Sequence, residues 1–130
     1  MTQKWLNISY IEDFFYTLFQ NKALGEVNVG DKLPDTLSKN VSRMTLISCG
    51  NMRDLHAYGS GSVLVFLFCK SDGKGKKNVP AMAEMEETVR QLVDACRHEH
   101  YNIERGSTYT NYDSNYDMHC NIVQVNITII

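Results

Sequence analysis

His98, His100, His119 and Cys120 are of the residue types that ligate metals or act as nucleophile and base. A zinc site needs three or four ligands converging on one point. His98 and His100 stand two residues apart where a helix is expected to end, so their rings should diverge. His119 and Cys120 are neighbours in an expected strand and should point to opposite faces. The spacing therefore argues against a metal. A nucleophile–base pair such as Cys120 with His100 requires hydrogen-bond contact, which nothing in the spacing supplies. Glu84, Glu86 and Glu87 would need burial to raise a carboxyl pKa for acid–base work, and on a helix they read as its solvated face. We expect no enzyme, no metal and no cofactor.

Two glycine-bearing stretches invite a ligand reading. Lys74, Lys76 and Lys77 lie in the run 71–77, but a phosphate-cradling loop requires G-x-x-x-x-G-K followed by Ser or Thr. These lysines do not keep that spacing, so the run reads as a solvated loop whose role, if any, is contact with an acidic partner. Residues 59–62, Gly-Ser-Gly-Ser, precede an apolar strand, whereas a dinucleotide fingerprint follows a strand and opens a helix; they read as a turn.

The densest polar–aromatic stretch holds Tyr101, Tyr109, Tyr112, Asp113, Ser114, Asn115, Tyr116 and Asp117. Tyrosine among short polar residues suits a protein-binding surface, because a rigid ring gives contact area at low entropic cost. It equally suits cross-strand tyrosine pairing inside a hairpin. The candidate partner-binding residues are Tyr109, Tyr112, Asp113, Asn115, Tyr116 and Asp117, with Lys74, Lys76 and Lys77 beside them.

These side chains need elements to hold them. Ile11, Phe14, Phe15, Leu18 and Phe19 recur at helical spacing and predict a helix over 9–22, opened by a Ser9–Glu12 capping box and stopped at Gly25. Val27 and Val29 suggest a short strand, and turn signals follow at Gly30-Asp31 and Leu33-Pro34-Asp35. A strand is expected over 41–49, then a separate edge or irregular strand over 52–58. Residues 63–69 are apolar on both faces and predict a central strand covered by a helix. Asn78 and Pro80 open a second helix with Met82, Met85, Val89, Leu92, Val93 and Cys96 on one face and Arg97 and His98 near its end. A hairpin over 101–109 and 116–130, turning at 111–115, ends the chain; Val123, Val125, Ile127 and Ile129 share one face of its last strand. The expected class is α+β: one domain, a mostly antiparallel sheet packed by an N-terminal helix and a central helix.

The bulk properties agree. The chain has 130 residues, which suits a single domain, and its 43% hydrophobic and 22% charged content predicts one packed core. A net charge of −2 argues against general nucleic-acid binding. Residues 1–7 lack the apolar core of a signal peptide, and the run 63–69 falls far short of the ~20 residues of a membrane helix. We therefore expect a soluble, cytoplasmic protein with no membrane partner. Cys49, Cys69, Cys96 and Cys120 form no C-x-x-C pair and read as small core hydrophobes.

The order of helix, strands, apolar strand, loop, helix and tyrosine-rich hairpin resembles small tail-completion or tail-terminator proteins of long-tailed bacteriophages and prophages. The resemblance rests on Ile11 to Phe19, Val63 to Phe68, Met82 to Cys96, and the hairpin with Tyr112-Asp113 and Tyr116-Asp117 before its last strand. It is one of pattern, and residues 23–58 align poorly. What it implies is a non-catalytic protein that assembles into a ring, often a hexamer, at the end of a tail tube. Its partners would be other copies, the tail tube and the head–tail connector. Such a protein would be found in the cytoplasm of the host bacterium and in the virion. The alternative is a small bacterial protein-binding module that uses the Tyr/Asp-rich hairpin.

Overall fold

The computed structural model describes residues 3–30, 42–55, 58–113 and 118–130. After a 3-10 turn at Gln3–Leu6 the chain forms helix α1 (Ile8–Leu18), a second 3-10 turn (Lys22–Leu24) and strands β1 (Glu26–Val29), β2 (Arg43–Asp54) and β3 (Gly59–Lys70). Helix α2 (Val79–Ala95) and strands β4 (Tyr101–Asp113) and β5 (Met118–Ile129) follow. The five strands make one mixed sheet in the order β1-β2-β3-β5-β4, an α+β fold. Only the β1–β2 pair is parallel among neighbours. The crossover through α2 sets β4 parallel to β3, and β5 then folds back between them.

The apolar run takes the central position its composition demands. Val63, Val65, Leu67 and Cys69 point to one face of β3 and are buried under both helices. Ile11, Phe15 and Phe19 of the first helical stretch, and Met82, Met85, Val89 and Val93 of α2, fill the other half of that core. Val123, Val125, Ile127 and Ile129 of β5 add the predicted alternating row. The second face of the sheet carries its own apolar cluster at one end: Met44, Leu46, Phe68, Met118, Cys120 and Ile122, with Leu64 and Phe66 packed against them. Central β3 is thus apolar on both sides because both sides pack.

Several local expectations need correction. Helix α1 begins at Ile8 with Asn7 at its N-cap and without a side-chain cap bond, so the Ser9–Glu12 capping box does not form. It ends at Leu18, where the Phe19 amide donates to the Phe15 carbonyl at 2.9 Å and the Gln20 amide to the Thr17 carbonyl at 3.5 Å. Gly25 instead follows the second 3-10 turn, at φ +68°. A Cβ there would lie 2.2 Å from the Arg43 carbonyl oxygen, so glycine lets β1 approach β2. The two strands expected over 41–49 and 52–58 are one strand, β2, with a register irregularity between Cys49 and Asn51. Val41, His56 and Ala57 lie outside the described residues, as does the turn signal at 31–35. Residues 59–62 do not turn the chain: they are the first third of β3, with Gly61 opposite Met52 and Ile127. A Cβ at Gly61 would lie 2.3 Å from the Met52 sulfur, so the small residues there serve close packing.

The α2 boundaries follow their sequence signals. Asn78 Oδ1 accepts a hydrogen bond from the Ala81 amide at 3.3 Å, and Pro80 occupies the first turn. At the other end Arg97 Nη1 donates to the Asp94 and Cys96 carbonyls at 2.9 and 2.6 Å, neutralising exposed helix-end acceptors.

Candidate interaction surface

The expected loop 71–77 is built around Asp72. Its Oδ1 accepts from the Lys74 and Lys76 amides at 2.8 and 3.3 Å, and its own amide donates to the Lys76 carbonyl at 2.9 Å. Gly73 and Gly75 take positive φ values of 88° and 76° to allow the tight path. Lys74 and Lys76 point into solvent, as expected. Lys77 does not. It is half-buried, and its Nζ donates to Asn121 Oδ1 at 2.7 Å and reaches Thr110 Oγ1 at 3.4 Å.

Asn121 is buried on β5, and its amide nitrogen donates to Glu86 Oε1 on α2. Glu86 is accordingly part of a Lys77–Asn121–Glu86 network rather than of the solvated helix face. Such a network satisfies polar groups that would each cost about 1–3 kcal/mol if buried alone. Glu84 and Glu87 keep the solvated reading, paired with Arg43 at 3.1 Å and Arg90 at 2.8 Å. Glu84, Glu87 and Arg90 are exposed and Arg43 is half-buried, so each solvent-screened pair is worth about 1 kcal/mol or less.

His98 and His100 do not diverge. The helix ends before them, and both rings turn onto Trp5, with centroids 4.9 Å from its ring in each case and 6.0 Å apart. His98 also stacks on Tyr101 at 4.3 Å, and the Tyr101 hydroxyl donates to the Trp5 carbonyl at 3.1 Å. His100 Nδ1 lies 3.2 Å from the Ile130 backbone oxygen. The sequence reading missed Trp5 altogether. A lone aromatic ahead of the first helix carries no periodic signal that would link it to residues more than 90 positions away.

The remaining reactive types stand apart. Cys120 belongs to the second-face cluster near the start of β5, whereas His100 adjoins the strand's far end, so they cannot form a dyad. His119 and Cys120 do point to opposite faces. Among the described residues no cluster of three potential metal ligands occurs. Cys49, Cys69 and Cys120 are buried in the core and Cys96 lies at its margin. Burial pushes the Cys49 thiol up to about 11, with Glu12 adding to the effect, and burial also raises Cys69 and Cys96. These thiols stay protonated near neutral pH, which makes them poor nucleophiles.

The hairpin residues are placed by β4 and its partner. β4 lies at the sheet edge and pairs with β5 on one side only. Its register breaks between Arg105 and Thr108, at Gly106. There a Cβ would lie 3.0 Å from the Gln124 carbonyl oxygen. Before the bulge, Arg105 forms an ion pair with Asp94 of α2 at 2.9 Å. After it, Tyr109 pairs with Ile122 and so stands on the second face, 47% exposed beside the apolar cluster. Tyr112 and Asp113 are part of β4, opposite His119 and Met118, so the strand runs four residues past its expected end. Ser114, Asn115, Tyr116 and Asp117 lie outside the described residues. None of Tyr101, Tyr109 and Tyr112 has a tyrosine as its cross-strand partner, so among the described residues the tyrosine-pairing use is not realised.

No protein-family model and no curated protein matches this sequence.

Proposed function

We propose that this chain is a non-catalytic structural protein of a phage or prophage tail, acting in tail completion or head–tail joining. It works by self-association into a ring-type homo-oligomer, with a hexamer as the expected count, and by contacts with the tail tube and the head–tail connector. Its place is then the host cytoplasm during assembly and the virion afterwards. The observation that carries this reading is the order α1-β1-β2-β3-α2-β4-β5, with both helices on one face and a long terminal hairpin at the sheet edge. That order is the one the resemblance calls for. A ring needs head-to-tail interfaces that close on themselves, and an open strand edge is suitable material for contacts between copies.

Light scattering and electron microscopy of the purified chain, alone and with tail tubes, test it. Ring-shaped particles of fixed stoichiometry, or rings capping the tubes, are expected. A strict monomer at high concentration with tubes present would sink the reading.

A second reading, a small binding module that uses the hairpin against one protein partner, is favoured by the exposure of Tyr109 beside Ile122. Under that reading a monomeric chain binds one bacterial protein and loses it on Tyr109→Ala.

A further inference from the structure

Two imidazoles hold the Trp5 ring, and their Nδ1 atoms do opposite jobs. His100 Nδ1 lies 3.2 Å from the Ile130 backbone oxygen, an acceptor, so it carries a proton and donates. His98 Nδ1 lies 3.0 Å from the His100 backbone amide, a donor, so it is unprotonated and accepts. The neutral His98 ring therefore keeps its proton on Nε2. A side chain that accepts from the amide two residues on makes the bond of an Asx turn, here with imidazole in place of a carboxamide. That bond shapes the chain after α2 so that both rings reach Trp5, each at 4.9 Å.

We propose that His98 is an acid-operated latch on the N-terminal turn: a proton on its Nδ1 sets donor against donor, opens the 98–100 turn and frees Trp5 while the sheet and α2 stay folded. His100 is not the latch, because protonating its other ring nitrogen leaves the bond to Ile130 intact. Release of the indole breaks the Tyr101 hydroxyl bond to the Trp5 carbonyl and uncovers the Tyr101 ring, which stands edge-on to Trp5 at 5.8 Å.

The groups packed around His98 set how that proton is received. Lys4 of the N-terminal turn holds its Nζ 4.7 Å from the centre of the Trp5 ring and disfavours a second cation there. On the same loop, His100 opposes the charged ring, Glu99 favours it, and Arg97 is turned back onto the Asp94 and Cys96 carbonyls. Helix α1 brings Phe14 edge-on, Tyr10 against Trp5, and Glu12, whose carboxyl is raised by burial. Strands β2 and β4 bring the Cys49 thiol and the Tyr101 hydroxyl; burial pushes them up to about 11 and about 12, out of the histidine range. The 4.3 Å stack on Tyr101 attracts an imidazolium and resists release. Burial of His98 and the donor–donor contact act against that attraction.

The test uses the full chain and its single tryptophan. Acrylamide is neutral, so its quenching of Trp5 reads access to the indole rather than charge. The quenching constant should rise about threefold between about pH 7.5 and about pH 5, with an unchanged far-ultraviolet circular dichroism spectrum. His98→Asn keeps an acceptor for the His100 amide and has nothing to titrate, so its quenching should stay constant over that range. His100→Gln and Glu12→Gln should keep the rise. Nitrogen-15 spectra of the wild-type imidazoles give a check that needs no variant: at neutral pH His98 should be the tautomer protonated on Nε2. A His98 protonated on Nδ1 at neutral pH, an acid rise that survives in His98→Asn, or a Trp5 equally shielded at both ends of the range would overturn the latch.

Discussion

His98 shows how a single side chain can register pH through its surroundings. Its ring is wedged between Trp5 and Tyr101, with Phe14 edge-on at 5.4 Å, and a proton there forfeits hydration. Burial first, then the neighbouring His100, holds its pKa below the ordinary value, while Glu99 opposes the shift. Lys4, 4.7 Å from the Trp5 ring, adds another positive charge to the same group of rings. The unfolded chain, with an ordinary histidine pKa near ~6.5, therefore binds the proton more tightly than the folded one. The contribution is fully present above that unfolded value and is lost as pH falls through the lower folded value. We expect the urea midpoint to drop between about pH 7.5 and about pH 5, and His98→Gln to flatten that drop. Trp5 is the only tryptophan, so its fluorescence reports directly on the clasp. An identical pH profile in His98→Gln would show that the imidazole is not responsible.

At the scale of elements, burial rather than hydrophobic type decides what a substitution costs. Leu67 is fully buried between the sheet and the helices, whereas Phe66, its neighbour on β3, is half-buried on the second face. Leu67→Ala should cost about 2–5 kcal/mol in urea unfolding. Phe66→Ala should cost less, despite removing the larger side chain; the reverse order would mean that the second face is the better packed one. The sequence could place β3 because two-sided apolarity has few other solutions. It could place α2 because Asn78, Pro80 and the methionine stripe agree. The split of β2 into two strands went wrong because Gly50-Asn51 carries the same composition in a mid-strand irregularity as in a turn. Gly59 to Ser62 misled for a related reason: glycine reads as punctuation, yet here it makes room for Met52 and Leu6. The candidate surface was only half legible. Tyr109 and the lysine loop could be named from residue type, but the register that turns Lys77 and Glu86 onto Asn121 depends on a crossover that no local pattern encodes.

For the whole molecule, the strand order sets a gradient of local stability. β3 and β5 are paired along both sides and contribute most of the buried rows beneath the helices. β1 holds four residues on one neighbour, and β4 pairs on its inner side alone. The Trp5 clasp ties the N-terminal turn to the start of β4, through the Tyr101 hydroxyl bond and the stacked rings, so the first residues of β4 are held better than its edge position suggests. Amide exchange follows such differences, because protection tracks the free energy of the smallest opening that frees each hydrogen bond. The slowest amides should therefore fall in β3 and β5, and the fastest strand amides in β1 and the Thr108–Asn111 part of β4. Trp5→Ala should raise exchange at residues 101–103 without changing β3, since the clasp touches the edge and not the centre. Mass-spectrometric exchange of the dilute chain measures this order directly. Uniform protection from β1 through β4 would mean that the sheet opens only as one unit, and the weak-edge picture would fail. Repeating the measurement at high concentration adds a second constraint. Slowing confined to residues 108–112 locates contact between copies on the β4 edge, and slowing elsewhere in the sheet locates it on another surface.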